Sequence, residues 1–470
     1  MMPLGRSLAL LAALATQAQA YDDLLFTEDF FPLINARLDP IISPGQVSAH
    51  VHHVIGSSAF IASESFNDTQ TANCTTSNLI DDLSNYWSPM LYYKWKNGSY
   101  SAITGDGGSA YWKMPMTNLP TEGFSVVPDD FRMLAGDITR TTYNASNALD
   151  QAVSFQCVDA SGSYDKTPFI PSDRECLTLR PQVNFPECWN GKDAYIDDNS
   201  HVSYPVDGNP EGGKCPDSHP SKIPHLFLEA TYHPSEDTIG EGYEWYPGCF
   251  VLADGDNYGY SFHADWLNGF PSGFIVDTFN ECYDAASDTI SKTCAPIDQG
   301  RAKAAPRDCV SRGQVVNESV GQMMAIPALP GNNPEYNSSE TSKPSSDSYT
   351  ETASLVTVSD DTQGVCIQGT CYDYAGSDIV DPSAGTGATS TVSLSGVTAT
   401  SSSSSTGSSI ETLLSSTVSA SGSSSTASSA PDSVLSPSPT SLTTTKSSLA
   451  KSARRRDGLL IGRCHGSFAF

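Results

Sequence analysis

Apolar positions in this chain come in short runs cut by turn residues. Few stretches sustain the 3.6-residue period of an amphipathic helix. Gln46-Val47-Ser48-Ala49-His50-Val51-His52 alternates behind the turn Ser43-Pro44-Gly45. Ile223 to Tyr232 is apolar and β-compatible, and Tyr258 to Trp266 is aromatic-rich after the turn Asp254-Gly255-Asp256-Asn257. Thirty prolines and 36 glycines keep such runs short. The pattern predicts a mainly β fold: a single large β-sandwich or jelly-roll-like domain with long loops, over residues 21–310, long enough for a sizeable core.

The pattern changes at both ends. Residues 1–20 carry Arg6, a short apolar run from Leu8 to Leu14 and Ala18-Gln19-Ala20. This reads as a signal peptide, too short to span a bilayer, with the mature chain starting at Tyr21. From 311 to 375 the pattern thins into an extended linker, where Cys366 and Cys371 are placed to close a small loop. Residues 376–450 are dominated by Ser and Thr, with eight of them in the ten positions 401–410. Such a segment buries too little apolar surface to fold and reads as a disordered, O-glycosylated stalk. Residues 451–470 form a basic tail around Arg454-Arg455-Arg456, without the hydrophobic stretch of a lipid-anchor signal.

Charge and cysteines narrow the setting. The chain has 53 acidic and 25 basic residues, a formal charge of -28. Such a surface repels phosphate backbones and anionic headgroups, so nucleic acid is excluded as a partner and a neutral polysaccharide or cell-wall glycan is favoured. No segment is long and apolar enough to predict a transmembrane helix. Twelve cysteines and sequons at Asn67, Asn73, Asn97, Asn144, Asn317 and Asn337 suit an extracellular or cell-wall location. The domain holds nine of the cysteines, an odd number, so one is free or pairs outside it.

The candidate chemistry centres on histidine. In His50-Val51-His52-His53, a strand would put His50 and His52 on one face and His53 on the other. Two imidazoles so placed suit a divalent metal, or else hydrogen-bond in a polar cleft without one. His263-Ala264-Asp265 repeats the spacing with an imidazole and a carboxylate, suited to a metal shell or an acid/base pair. His219 is a fourth metal candidate. Glu229 lies inside an apolar run, where burial would suit it to general-acid work, with Asp256 and Asp265 as partner carboxylates for glycoside hydrolysis. G-x-S-x-G, H-E-x-x-H, P-loop and C-x-x-C motifs do not occur.

These motifs resemble a known family. Arg37-Leu38-Asp39-Pro40-Ile41, Ser43-Pro44-Gly45, His50-Val51-His52 and Gly56 look like the opening of the fungal DUF1996 family. Tyr86-Trp87-Ser88-Pro89, Asn184-Phe185-Pro186, Cys188-Trp189-Asn190-Gly191, His201-Val202-Ser203-Tyr204-Pro205, Cys215-Pro216, His219-Pro220 and Glu229 are similar to later blocks. Gly255-Asp256, Gly259, His263, Asp265 and Gly269 are similar to the last. The resemblance spans roughly 30 to 285. It implies an extracellular protein of a kind often joined to wall-sugar-binding (WSC-type) modules or Ser/Thr-rich stalks. It supplies no mechanism. It places His50, His52, His201, His219, Glu229, Asp256, His263 and Asp265 in motif blocks and leaves His53, His225 and His233 outside them. Two functions follow as expectations: a carbohydrate-active enzyme with a His-rich, metal-binding cleft, or a non-catalytic carbohydrate-binding or structural surface module.

Overall fold

The computed structural model describes residues 23–339 except 163, 292, 293, 295, 298–308, 312 and 323, together with 353–357, 364–367 and 370–373. The signal peptide, the Ser/Thr-rich stalk and the basic tail expected from the sequence lie outside the described residues.

The fold is mainly β, as the punctuated pattern predicts. Eleven strands build two antiparallel sheets: β1 (Leu24–Phe30), β2 (Ile34–Ala36), β3 (His52–Gly56), β4 (Asn85–Pro89), β5 (Gly105–Lys113), β6 (Arg132–Gly136), β7 (Val153–Val158), β8 (Tyr164–Thr167), β9 (Thr178–Asn184), β10 (His225–Tyr232) and β11 (His263–Leu267). One sheet has six strands in the order β1-β5-β10-β9-β7-β8, the other five in the order β2-β3-β4-β11-β6. Their facing surfaces meet through aromatic pairs. Trp112 of β5 packs on Trp266 of β11 with ring centroids 5.3 Å apart, and Phe30 of β1 on Tyr86 of β4 at 5.2 Å. Each such pair contributes about 1 kcal/mol beyond the area it buries.

The five-stranded sheet is covered on both faces. Tyr86, Ile55 and Trp266 belong to the inter-sheet core, while Val54, Trp87 and Leu267 form a second cluster with Leu38, Ile41, Phe60, Val315 and Val316. All five residues of β3, of β4 and of β11 are buried. Strands buried on both faces lose the apolar/polar alternation that marks a one-sided strand. This explains one difference from the sequence pattern: the alternating stretch 46–52 is a bent loop, and the strand starts at His52.

Four disulfides join Cys74 to Cys309, Cys157 to Cys176, Cys188 to Cys215 and Cys282 to Cys294, which leaves Cys249 as a buried free thiol. Beyond residue 310, Val315, Val316, Leu329 and Tyr336 are buried against the domain. The strands Gly364–Ile367 and Thr370–Asp373 pair as a hairpin with Cys366 opposite Cys371. Asn67, Asn73, Asn97 and Asn144 of the sequons are exposed, while Asn317 and Asn337 are partly buried. No helix among the described residues is long and apolar enough to cross a membrane.

Candidate metal centre

The sheet register brings two of the histidines together. Pro89 of β4 lies opposite His52 of β3. Asp265 of β11 lies opposite Trp87, so His263, two residues back, stands level with Pro89 on its other side. His52 and His263 therefore share one face and flank a proline. Two strands either side of a third stand roughly 9–10 Å apart, yet the His52 and His263 ring centroids are 6.1 Å apart, so the rings lean together. Gly136 of β6 pairs with His263 at φ +81°, and a Cβ there would stand 2.5 Å from the Phe262 carbonyl oxygen. Only glycine lets β6 approach at this point.

His50 completes the group from the loop before β3. Its ring centroid is 4.3 Å from that of His52 and 5.1 Å from that of His263. One nitrogen of each ring lies within 4.8 Å of those of the other two. The loop is braced from outside: the buried Arg37 guanidinium forms a two-pronged ion pair with Glu318, at 2.6 and 2.9 Å, and donates to the Ser48 carbonyl. Asn333 Nδ2 donates to the Ala49 carbonyl at 2.8 Å.

Backbone carbonyls orient two of the rings. His52 Nδ1 pairs with the Leu38 carbonyl at 2.9 Å, and His263 Nδ1 with the Ser261 carbonyl at 2.8 Å. A ring that donates through Nδ1 keeps a lone pair on Nε2, the arrangement found at metal-ligating histidines. His52 Nε2 is buried and meets no hydrogen-bond partner among the described residues. Burial pushes the His52 pKa down to about 4, against weaker opposing effects of the Leu38 carbonyl and Asp254. The ring is therefore neutral at pH 7, the form that binds a metal.

The surroundings are acidic. Asp39 Oδ1 accepts from the Ile41 and Ile42 backbone N–H groups and lies close enough to His263 to interact electrostatically. Asp265 is 1% exposed, and neither carboxyl oxygen has a hydrogen-bond partner among the described residues. Burial, and then the Asp39 charge, hold its pKa well above the usual carboxylate range. The donor set contains imidazole only. Three imidazoles suit a borderline divalent ion such as zinc or copper better than magnesium or calcium, which prefer oxygen ligands. The residues present fit such an ion, and the orphaned, pre-oriented Nε2 of His52 is the sharpest sign of it.

The remaining candidates lie elsewhere. His219 is bonded at both ring nitrogens, to Ser218 Oγ and to the Ser200 carbonyl, each at 2.9 Å. The structure does not bring it to the three-histidine group, because local partners hold its ring. Glu229 of β10 is in the six-stranded sheet, where it accepts from Tyr111 Oη and Gln182 Nε2, both at 2.9 Å. Asp256 accepts from the backbone N–H groups of Tyr258 and Ser261, at 2.8 and 2.9 Å. It thus shapes the turn whose Ser261 carbonyl orients His263. His53 points to the opposite face from His52, as the spacing implies, and bonds Asn35 Oδ1 at 2.8 Å. Asp39 escaped the choice of candidates, although Asp39-Pro40-Ile41-Ile42 carries the signature of an Asx turn.

The molecule is thus a disulfide-bonded β domain built around a buried three-histidine group. Residues 39–270 match the model of DUF1996, a domain of unknown function. The matched span contains His50, His52, His263, Asp39 and Asp265. No curated protein and no solved structure matches the chain.

Proposed function

We propose that the domain is a metal-dependent, carbohydrate-active protein of the extracellular space, in which His50, His52 and His263 hold a divalent ion. The observation that carries this reading is the convergence of three imidazole nitrogens within 4.8 Å, without a fourth protein ligand in the group among the described residues. Three protein ligands and an open position are characteristic of catalytic rather than structural zinc sites. When bound, the ion supplies Lewis acidity to an oxygen ligand. The chain's own residues orient the site: the Leu38 and Ser261 carbonyls fix two of the rings, and the buried Asp39 and Asp265 carboxyls stand close by. Asp265 is the acid/base candidate on this face. A neutral glycan suits the strongly acidic chain and the Ser/Thr-rich stalk expected beyond it. Four disulfides agree with secretion.

One observation favours the second reading, a non-catalytic surface module. His50, His52 and His263 are only 4, 0 and 7% exposed. A site so enclosed also suits a centre that fixes loops. Release of reducing ends from glucan, chitin and mannan by the secreted protein separates the two. Cleavage that disappears on chelation and in a His50→Ala/His52→Ala variant supports the enzyme. Bound metal without cleavage supports the module. Absence of both overturns the proposal.

A further inference from the structure

On the opposite face of β11 from His263, the space between the two sheets opens at one end into a cavity of about 410 Å³, part of it open to solvent. Its walls include Trp112, Trp266, Phe270 and Phe274. Phe270 and Phe274 are stacked with centroids 5.4 Å apart, and Trp112 meets Phe270 edge-on at 5.6 Å. The helix Phe274–Cys282 supplies one side, and the loop carrying Val126 supplies the rim.

The lining selects a ligand class. In a chain with a formal charge of -28, none of the residues lining this cavity is charged. An ion placed here would lose its hydration without a partner, at a cost of several kcal/mol. The Asn268 amide is already committed, donating to the Asp129 carbonyl and accepting from the Phe270 N–H. Trp266 is different. It is 1% exposed, and its indole N–H meets no acceptor among the described residues. Buried indole N–H groups usually find a partner. Trp112, packed against it, has one in Glu28 at 3.1 Å. We infer that the cavity between Trp112, Trp266 and Phe274 is a binding site for a neutral, largely apolar small molecule with one acceptor oxygen, which receives the Trp266 N–H. It is a second site, independent of the three-histidine group.

Nile red fluorescence on the full secreted chain tests this, with dodecan-1-ol, decane and dodecanoate as competitors. The wild type should bind Nile red saturably and release it to dodecan-1-ol, with dodecanoate at least tenfold weaker. Val126 is 44% exposed at the rim, so Val126→Trp should narrow the mouth without straining the fold and weaken Nile red and dodecan-1-ol binding at least fivefold. Trp266→Phe should weaken dodecan-1-ol about five- to tenfold and leave decane unchanged, the signature of one lost hydrogen bond. No saturable binding by the wild type, or wild-type binding by Val126→Trp, would overturn the site. Equal affinity of Trp266→Phe for dodecan-1-ol would overturn the assignment of the acceptor.

Discussion

Two clusters of buried polar side chains stand in this domain, and they are built on opposite plans. In one, Lys222, Glu187 and His225 have fully buried side chains, and their charges meet one another. Lys222 Nζ lies 3.3 Å from Glu187 and donates to the Thr117 carbonyl at 2.8 Å. His225 Nδ1 faces Glu187 at 3.2 Å, and its Nε2 faces Asn184 Oδ1 at 3.0 Å. In the other, the nitrogens of His50, His52 and His263 face one another, and the carboxyls of Asp39 and Asp265 stand behind. Burial is common to both, so burial alone does not mark a functional site. In the first cluster Glu187 faces a lysine and a histidine within ion-pair distance. The second gathers imidazole nitrogens within 4.8 Å of one another.

The largest effect should come from breaking the ion-paired cluster. Lys222→Met leaves Glu187 buried with a histidine alone, and removing one partner of a buried ion pair costs about 3–5 kcal/mol. Denaturant unfolding of the secreted variant measures it. A loss under about 1 kcal/mol would mean that the cluster behaves as an exposed ion pair and that the contrast is false.

Next in size is the response to metal. Zinc at a hundred times its dissociation constant should stabilise the wild type by about 2.7 kcal/mol. The His50→Ala/His52→Ala variant should show no such gain in a thermal melt. Equal gains in both would place zinc elsewhere.

A third effect isolates a buried acid outside both clusters. Glu64 accepts from Asn85 Nδ2 at 2.7 Å through Oε1, while its buried Oε2 has no hydrogen-bond partner among the described residues. Burial raises its pKa from 4.5 to about 8. The unfolded chain releases this proton near pH 4.5 and the folded chain near 8, so the associated stability is complete below pH 4.5 and is lost as pH rises to 8. Glu64→Gln should flatten this part of the profile by roughly 1–3 kcal/mol. Wild type and variant with parallel stability-pH curves would contradict it.

The smallest effect should be at the metal centre without metal. His52→Leu in chelator-treated protein should cost about 1 kcal/mol, the net worth of its one hydrogen bond to the Leu38 carbonyl. A loss as large as that of Lys222→Met would show that the histidines are a structural network like the first cluster.

The sequence carried more of the metal centre than of the rest. His-x-His and His-x-Asp spacings singled out the three histidines that the structure groups, although only His263 and Asp265 share a strand face. The route differs from the one implied. His50 reaches the site from a loop, and its partner across β4 comes from a strand more than 200 residues later. His219 looked equivalent in sequence, but no local pattern shows that Ser218 and Ser200 occupy its ring. Lys222, Glu187 and His225 were invisible as a cluster, since their closeness depends on how separate segments fold together. The β class was legible from turns and short runs. The two covered faces of the five-stranded sheet were not, because strands such as β3 and β4 show no alternation to read.

The most direct test of the central claim is elemental analysis of the secreted protein after exchange into metal-free buffer, alongside the His50→Ala/His52→Ala variant. Close to one zinc or copper ion per wild-type chain is expected, and none held by the variant. A folded wild-type protein that retains no divalent metal, and takes up none when zinc or copper is added, would contradict it.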